Sequence, residues 1–374
     1  MSISSSWGIL MSALPVTNRE RVLFALAAHL QQQFCGVRLF IPHPRPDQQA
    51  AMARLDLSWL DLAASWKRFI PGNAPRLICC IHILRHLMNQ ELNGLLTVSI
   101  PTALAALRAR QGAQRHPALI VRQSNVVHLR HDARFAGVRP RLRDPLIRRC
   151  YPEADHFIAV SNGVADNLMA MDIPASRITV IPNGVDIATV QHNGKVYTSP
   201  FEGRYIVAVG RLVPKKDYPT LLRAMTLLPA TVVPRLVILG EGPERQKLTA
   251  LCRNLDLQDR VLMPGFVANP YPIIAAASCL VSSSISEGMP NALLEALALG
   301  KPVVATDCPS GPAEILDHGR FGTLVPIGEP QPLAAAIKDM LANPSDPSML
   351  EARAAQFGMD AAILAYEHVI QRFS

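Results

Sequence analysis

The sequence predicts an α/β protein of two successive domains, each a parallel sheet with helices on its faces. Three observations carry this. Short apolar runs alternate with longer helix-patterned segments along the chain, as in βαβ units. The 374 residues are too many for one ordinary domain and suit two. A polar, turn-rich stretch at 187–203, with His192, Asn193, Gly194, Ser199, Pro200 and Gly203, interrupts the alternation and reads as a linker. The expected divisions are 1–186, 187–203, 204–350 and a closing segment, 351–374. Two such domains leave a cleft between them, and ligands of open α/β sheets bind outside the carboxyl ends of strands.

The elements follow in order. Residues 8–14 read as the first strand, 21–33 as a helix and 37–41 as the second strand. Residues 95–100, 118–122 and 155–160 are apolar, β-prone runs. Ser161 stands where a hydroxyl can cap the helix 163–170. Residues 178–181 form a further strand before the turn Pro182-Asn183-Gly184. In the second half, strands are expected at 205–209, 236–239, 261–264, 280–283 and 303–306, and helices at 218–228, 243–252, 291–299 and 332–341. No repeat of roughly 20–50 residues occurs, which excludes solenoids and propellers.

Composition narrows the function. With 49% hydrophobic and 18% charged residues the chain is globular, not disordered. The net charge of +8 favours anionic partners such as nucleotide phosphates or a membrane leaflet. Nucleic acid is a poor competitor, since no recognised motif occurs and few aromatics interleave with the basic residues. The seven cysteines are odd in number and lack C-x-x-C spacing, so reduced, buried thiols of a cytoplasmic protein are expected. The apolar run 77–84 contains His82 and is far short of the ~18 residues a membrane span needs. The first residues lack the pattern of a signal peptide, so the expected location is the cytoplasm or the cytoplasmic face of the membrane.

Three strand-end loops carry the candidate chemistry. Gly210-Arg211-Leu212-Val213-Pro214-Lys215-Lys216-Asp217 precedes a helix, and Arg211 and Lys216 suit a diphosphate as a bidentate fork and a point charge; the alternative is a solvated basic loop. Gly240-Glu241-Gly242-Pro243 lacks the third glycine of a dinucleotide fingerprint and reads first as a tight structural turn, leaving an oxidoreductase only a remote alternative. In Glu287-Gly288-Met289-Pro290-Asn291, Pro290 suits the first helical turn and Gly300 the stop. Free N–H groups at that helix start would receive a phosphate. Glu287 precedes the helix and Glu295 lies inside it, about 12 Å along the axis for eight residues. They read as two ligand contacts, not as a hydrolytic pair. No D-x-D occurs, so no carboxylate pair for a metal-bound diphosphate is evident.

These residues resemble glycosyltransferase family 4, with its GT-B fold, of the bacterial surface-polysaccharide type. The resemblance runs from Val160-Ser161-Asn162-Gly163 through Ile181-Pro182-Asn183-Gly184-Val185-Asp186, Gly210-Arg211-Leu212, Lys216-Asp217, Gly240-Glu241-Gly242-Pro243, the E-x7-E segment and Cys308-Pro309-Ser310-Gly311-Pro312 to Phe321-Gly322-Thr323-Leu324-Val325-Pro326. It implies a retaining, metal- and cofactor-independent transfer of a hexose or N-acetylhexosamine from a nucleoside diphosphate sugar, UDP-sugars favoured. The implied acceptor is a polysaccharide or a polyprenyl-diphosphate-linked glycan. The implied roles are Arg211 and Lys216 on the diphosphate, and Glu287 as the catalytic residue. Gly288, Met289, Pro290 and Asn291 would meet the sugar and its phosphate, Glu295 the ribose, and Gly265, Phe266 and Val267 the nucleobase. The tail 357–369 looks like the family's helix that crosses back onto the first domain.

The first half departs from the family pattern. Thr17-Asn18 stand where relatives carry Gly-Gly, and Ser124 where many carry histidine. Asn18, Arg122 and Asn125 are the acceptor-side candidates. The arginine-rich segment 130–149 would attract a lipid-linked diphosphate or an anionic leaflet. A non-catalytic GT-B subunit that binds a nucleotide stays open as the alternative.

Overall fold

The computed structural model describes residues 6–11, 18–33, 36–41, 44, 46–61, 76–90, 92–127, 143–196, 199–201, 203–233 and 235–374. The chain divides into two compact units, 1–183 with 360–374, and 184–359.

In the first unit the elements are β1 (Trp7–Leu10), α1 (Asn18–Gln33), β2 (Val37–Ile41), α2 (Pro46–Arg54), β3 (Trp59–Asp61), α3 (Arg76–Gln90), β4 (Gly94–Thr97), α4 (Ile100–Arg110), β5 (Ala118–Gln123), α5 (Arg143–Cys150), β6 (His156–Ala159), α6 (Asn162–Met169) and β7 (Ile178–Val180). Among the described residues they form one parallel sheet in the order β3-β2-β1-β4-β5-β6-β7. Helices on both faces bury its central strands, so these read as unbroken apolar runs such as Leu119-Ile120-Val121.

Ser161 caps α6 as expected, its Oγ accepting from Val164 N at 3.3 Å. The expected strand 95–100 is shorter than its apolar run. Ser99 and Thr102 cap each other reciprocally, Thr102 N donating to Ser99 Oγ and Ser99 N to Thr102 Oγ1, so α4 starts at Ile100.

The helix Met359–Gln371 closes this unit. Trp7 Nε1 donates to Ser374 Oγ at 3.0 Å, and His29 Nε2 lies 2.7 Å from Glu367 Oε2. Arg122, which is 1% exposed, donates from Nε to Tyr366 Oη at 2.7 Å and from Nη2 to Asn183 Oδ1 at 2.6 Å. One guanidinium therefore joins β5, the end of the outgoing chain and the returning helix. Its Nη1 has no hydrogen-bond partner among the described residues.

The second unit holds α7 (Ile187–Val196), β8 (Tyr205–Val209), a 3₁₀ turn (Pro214–Lys216), α8 (Tyr218–Thr226), β9 (Arg235–Leu239), α9 (Arg245–Asn254), β10 (Val261–Gly265), α10 (Tyr271–Ala276), β11 (Leu280–Ser282), α11 (Asn291–Ala298), β12 (Val303–Thr306), α12 (Pro312–Ile315), β13 (Thr323–Val325), α13 (Pro330–Ala342) and α14 (Pro347–Ala355). Its parallel sheet runs β10-β9-β8-β11-β12-β13. Leu221, Leu222, Met225, Ile238, Leu333 and Ile337 meet in its core.

Two expected boundaries are corrected. Most of the supposed linker, 187–196, is helix. Asp186 accepts from Thr189 N at 3.0 Å and starts α7, Val190 is buried, and Gln191 Nε2 donates to Ala298 O at 3.1 Å. A helix start and one apolar contact face were concealed by polar composition. The chain leaves the first unit at Asn183 instead. The expected closing segment 351–374 is also divided. α14 packs on α11 in the second unit, and only residues from Asp360 onward join the first. Beside the outgoing chain, Val185 N donates to Phe357 O at 2.8 Å and Met359 N to Val185 O at 3.1 Å, so the two connecting backbones run in parallel.

Cys150, Cys252, Cys279 and Cys308 are buried and free of disulfides. The side chains of Cys35, Cys79 and Cys80 lie outside the described residues. No helix of the described residues is long and apolar enough to cross a membrane.

Two predictions test the first unit. Tyr366→Phe deprives the buried Arg122 of a second partner and is expected to cost about 1–3 kcal/mol in urea unfolding. His156 is 1% exposed, bonded to Thr179 Oγ1 at 2.8 Å, and held down to about 4 by burial and then by the Arg372 charge. Its contribution to stability is full above its unfolded pKa of ~6.5 and is lost as pH falls from there towards the folded value. Thermal melts across that range should show this loss in the native chain and lack it in His156→Gln.

Candidate active site

In sheet order, loops follow the carboxyl ends of β10, β9, β8, β11 and β12, and the second unit's candidate residues sit on them, at the end of β10 or in α11. Two loops interlock first. Leu212 N donates to Glu241 O at 3.0 Å and Glu244 N to Leu212 O at 3.0 Å. A Cβ on Gly240, at φ +148°, would fall 2.0 Å from Gly210 O, so no side chain fits where these backbones cross. The Gly240-Glu241-Gly242 turn thus has a structural role: it braces the loop that carries Arg211, Lys215 and Lys216.

The 3₁₀ turn Pro214–Lys216 then meets the loop after β11. Ile285 N donates to Lys215 O at 2.9 Å, and Ser283 Oγ donates to Lys216 O at 2.9 Å. This stitching places Glu287, 5% exposed, between two ammonium groups. Lys216 Nζ donates to its Oε1 at 2.5 Å, Ser284 Oγ donates to the same oxygen at 2.7 Å, and Lys215 Nζ lies 3.7 Å from Oε2. Burial alone pushes the Glu287 carboxyl up; the charges of Lys216 and Lys215 and the two hydrogen bonds outweigh it, so the group sits below the usual carboxylate range. Glu287 is therefore a carboxylate at neutral pH and has no proton to give.

The same loop leads into α11. Pro290 precedes its first residue, no side-chain hydrogen bond caps it, and Leu293 N donates to Pro290 O at 3.1 Å, so the positive end of the helix dipole lies beside Glu287 and Gly288. Gly288, Met289 and Pro290 are buried and Asn291 is half-buried. Glu295, 7% exposed, follows in the helix. The loop after β12 supports this entrance. Ser310 Oγ donates to Gly288 O at 2.9 Å, and Thr306 Oγ1 donates to Ser284 O. Gly311, at φ +84°, packs so closely that a Cβ would lie 2.6 Å from Gly288 O. Behind it, Arg353 donates to Glu314 O and Ile315 O, with its guanidinium between the Phe321 and Phe357 rings.

Arg211 shares the Lys216 loop but is exposed, and its guanidinium makes no hydrogen bond or ion pair among the described residues. At β10, Gly265 is buried at φ +96°, Phe266 is 62% exposed and Val267 is half-buried. Gly265 O accepts from Gly240 N at 2.8 Å, which joins this loop to the row. Cys308 is buried; burial and then Glu287 push its thiol up to about 12, so it stays neutral. Among the described residues no group of three His, Cys, Asp or Glu side chains could hold a metal.

The first-unit candidates fare differently. Arg122 is corrected from an acceptor contact to a buried structural tie, because Tyr366 and Asn183 enclose it. Asn125 is half-buried, its Nδ2 donating to Ser124 Oγ at 3.4 Å. Thr17 and the side chain of Asn18 lie outside the described residues, as does most of the segment 130–149; Arg148 and Arg149 at its end are exposed on α5. Sequence reasoning missed Ser284, Thr306 and Lys215. The serine run at 282–284 and the Lys215-Lys216 pair were the signals available for two of them.

Residues 192–357 match the family model described as glycosyl transferases group 1, and residues 20–189 match the model described as Glycosyltransferase Family 4. The chain is 32% identical over 197 residues to the N-acetylgalactosamine-N,N'-diacetylbacillosaminyl-diphospho-undecaprenol 4-alpha-N-acetylgalactosaminyltransferase of Campylobacter jejuni, covering 52% of this chain and 53% of that protein. It is 33% identical over 224 residues to the lipopolysaccharide core biosynthesis glycosyltransferase LpsE of Rhizobium meliloti, covering 58% of this chain and 64% of that one. The chain thus spans about half the length of the curated relatives it matches. Among solved structures, Anabaena HepE in complex with UDP-glucose superposes with a TM-score of 0.78 at 20% identity, over 98% of this chain and 99% of that one, which establishes the shared GT-B fold.

Gly311→Ala tests the packing behind the α11 entrance. The added methyl meets backbone on a left-handed residue, and urea unfolding is expected to show a loss of about 1–3 kcal/mol.

Proposed function

This chain belongs to glycosyltransferase family 4, and from that premise we propose that it moves a hexose or N-acetylhexosamine from a nucleoside diphosphate sugar, UDP-sugars favoured, to a polysaccharide or lipid-linked oligosaccharide. The observation that carries this reading is the Lys216–Glu287 ion pair beside the uncapped start of α11. Ammonium charge and the positive end of the helix dipole there would favour a leaving diphosphate. The relatives support the substrate classes: one is named for a diphospho-undecaprenol-linked acceptor, and a structural neighbour holds UDP-glucose.

In the proposed mechanism Arg211 and Lys216 hold the diphosphate. Residues 288–291 hold the sugar and its phosphate, Glu295 the ribose, and Gly265 to Val267 the base. Glu287 stays ionised, fixes Lys216 and orients the transferred sugar. As the anomeric C–O bond breaks, charge gathers on the phosphate oxygen, which takes the proton of the acceptor hydroxyl attacking from the same face. The configuration is retained, and neither a metal nor a side-chain acid is required. Asn18 and Asn125 are the remaining acceptor-side candidates. Contact with an anionic membrane surface through the segment 130–149, on the cytoplasmic face, belongs to the same proposal.

Thermal-shift and transfer assays with UDP- and GDP-sugars, with and without a polyprenyl-diphosphate-linked glycan, test it. Expected are a raised melting temperature with the donor and sugar transfer that survives EDTA. Absence of both binding and transfer would refute the reading. Binding without transfer would identify a non-catalytic subunit, for which restoring Gly-Gly at 17 and 18 is the follow-up. Glu287→Gln should lower turnover by at least about a hundredfold while near-UV circular dichroism stays native.

A further inference from the structure

We propose that Lys215 is a third donor-site cation, reaching the phosphate next to the transferred sugar and holding charge that gathers on the departing diphosphate. This rests on the reading of the site as one for a nucleoside diphosphate sugar.

Geometry separates the neighbouring lysines. The Lys216 side chain is 16% exposed, and its Nζ lies 2.5 Å from Glu287 Oε1; the Lys215 side chain is 39% exposed, and its Nζ lies 3.7 Å from the other carboxylate oxygen. Lys216 is thus the inner lysine, bonded to the carboxylate, while Lys215 reaches the same carboxylate from the solvent side. Its backbone is fixed as well, because Lys215 O accepts from Ile285 N in the loop that leads to Gly288. Lys215 is therefore tied to the loop that leads to Gly288, where the proposed mechanism puts the transferred sugar, whereas Arg211 stands at the start of its own loop.

Charge balance points the same way. Lys215 and Lys216 share the carboxylate of Glu287, and Arg211 on the same loop adds a third cation, so these four groups carry a positive surplus that matches a dianionic diphosphate. Without Lys215, Glu287 would offset Lys216 and leave Arg211 alone against it. A half-buried ammonium that gains an anion also recovers the hydration it lost.

Among the groups facing the Lys215 ammonium are Glu287, Lys216 and Cys308. Burial lowers the Lys215 pKa, with Glu287 opposing and Lys216 adding to the effect. A bound diphosphate raises it again. Donor affinity should therefore weaken as pH rises through the unliganded lysine's titration, above the range where the diphosphate itself titrates.

The test is calorimetric titration of UDP and GDP into the full chain, Lys215→Met and Lys215→Arg, at about pH 7.5 and about pH 9.5, with donor KM and kcat measured alongside. Lys215→Met should weaken nucleotide binding by about tenfold or more. Lys215→Arg, whose charge persists, should bind well and weaken less at high pH than the native chain, titration of the nucleobase being common to both. A folded Lys215→Met with native Kd and KM would overturn the proposal. So would an unchanged pH slope in Lys215→Arg, which decides the matter even if the methionine variant does not fold. If the native chain bound neither nucleotide, the reading of the site itself would fall, and this proposal with it; native binding combined with an inert Lys215 would remove this proposal alone.

Discussion

The ion pair between Lys216 and the buried carboxylate of Glu287 sets the requirements for the loops around it. A carboxylate at 5% exposure is costly unless ammonium charge and hydrogen bonds reach it. Lys216 can reach it only because Gly210 leaves room for its stem: a Cβ there would lie 2.8 Å from Lys216 Cε. Ser284 can reach it only because the loop after β11 is tied to the carbonyls of Lys215 and Lys216. The Gly240 turn braces one side and the Ser310-Gly311 turn the other. Parallel strands of the second sheet supply all of these loops at one end, so the fold delivers the groups and the ion pair fixes their register.

The first unit carries a contrasting buried charge. Among the described residues Arg122 has neutral partners, Tyr366 and Asn183, where Glu287 has cations. Its position explains its retention inside the unit. The guanidinium fork reaches two segments far apart in sequence, which an aliphatic side chain of similar size could touch but not orient. In the second unit Arg353 works in a related way, joining α12 to the returning chain through carbonyl and ring contacts.

Local signals made much of this legible. Pro290 and Gly300 bracket α11 because helix termini obey short-range rules, and Ser161 caps α6 for the same reason. Arg211 and the Gly240 turn fell on strand-end loops, since each follows an apolar run by a residue or two, and Glu287 fell on the loop between β11 and α11. What stayed hidden depended on tertiary contact. Residues 187–196 have a loop's composition, yet Val190 and Gln191 find partners on neighbouring helices that only the folded unit provides. Arg122 reads as an acceptor-side candidate because it stands close to Ser124 and Asn125 in the sequence, and the enclosing Tyr366 is 244 residues away. Thr306, whose hydroxyl reaches across to Ser284 O, read as the end of an apolar strand.

The helix Met359–Gln371 also bears on synthesis. The second unit is one continuous stretch, 184–359, and can close its core as soon as it has left the ribosome. The first unit is made earlier but needs residues 360–374, which emerge after the whole of the second. Until then the Trp7 indole lacks Ser374, and the Arg122 fork lacks Tyr366. The packing around Trp7 and Arg122 is therefore completed only after the whole of the second unit has been made.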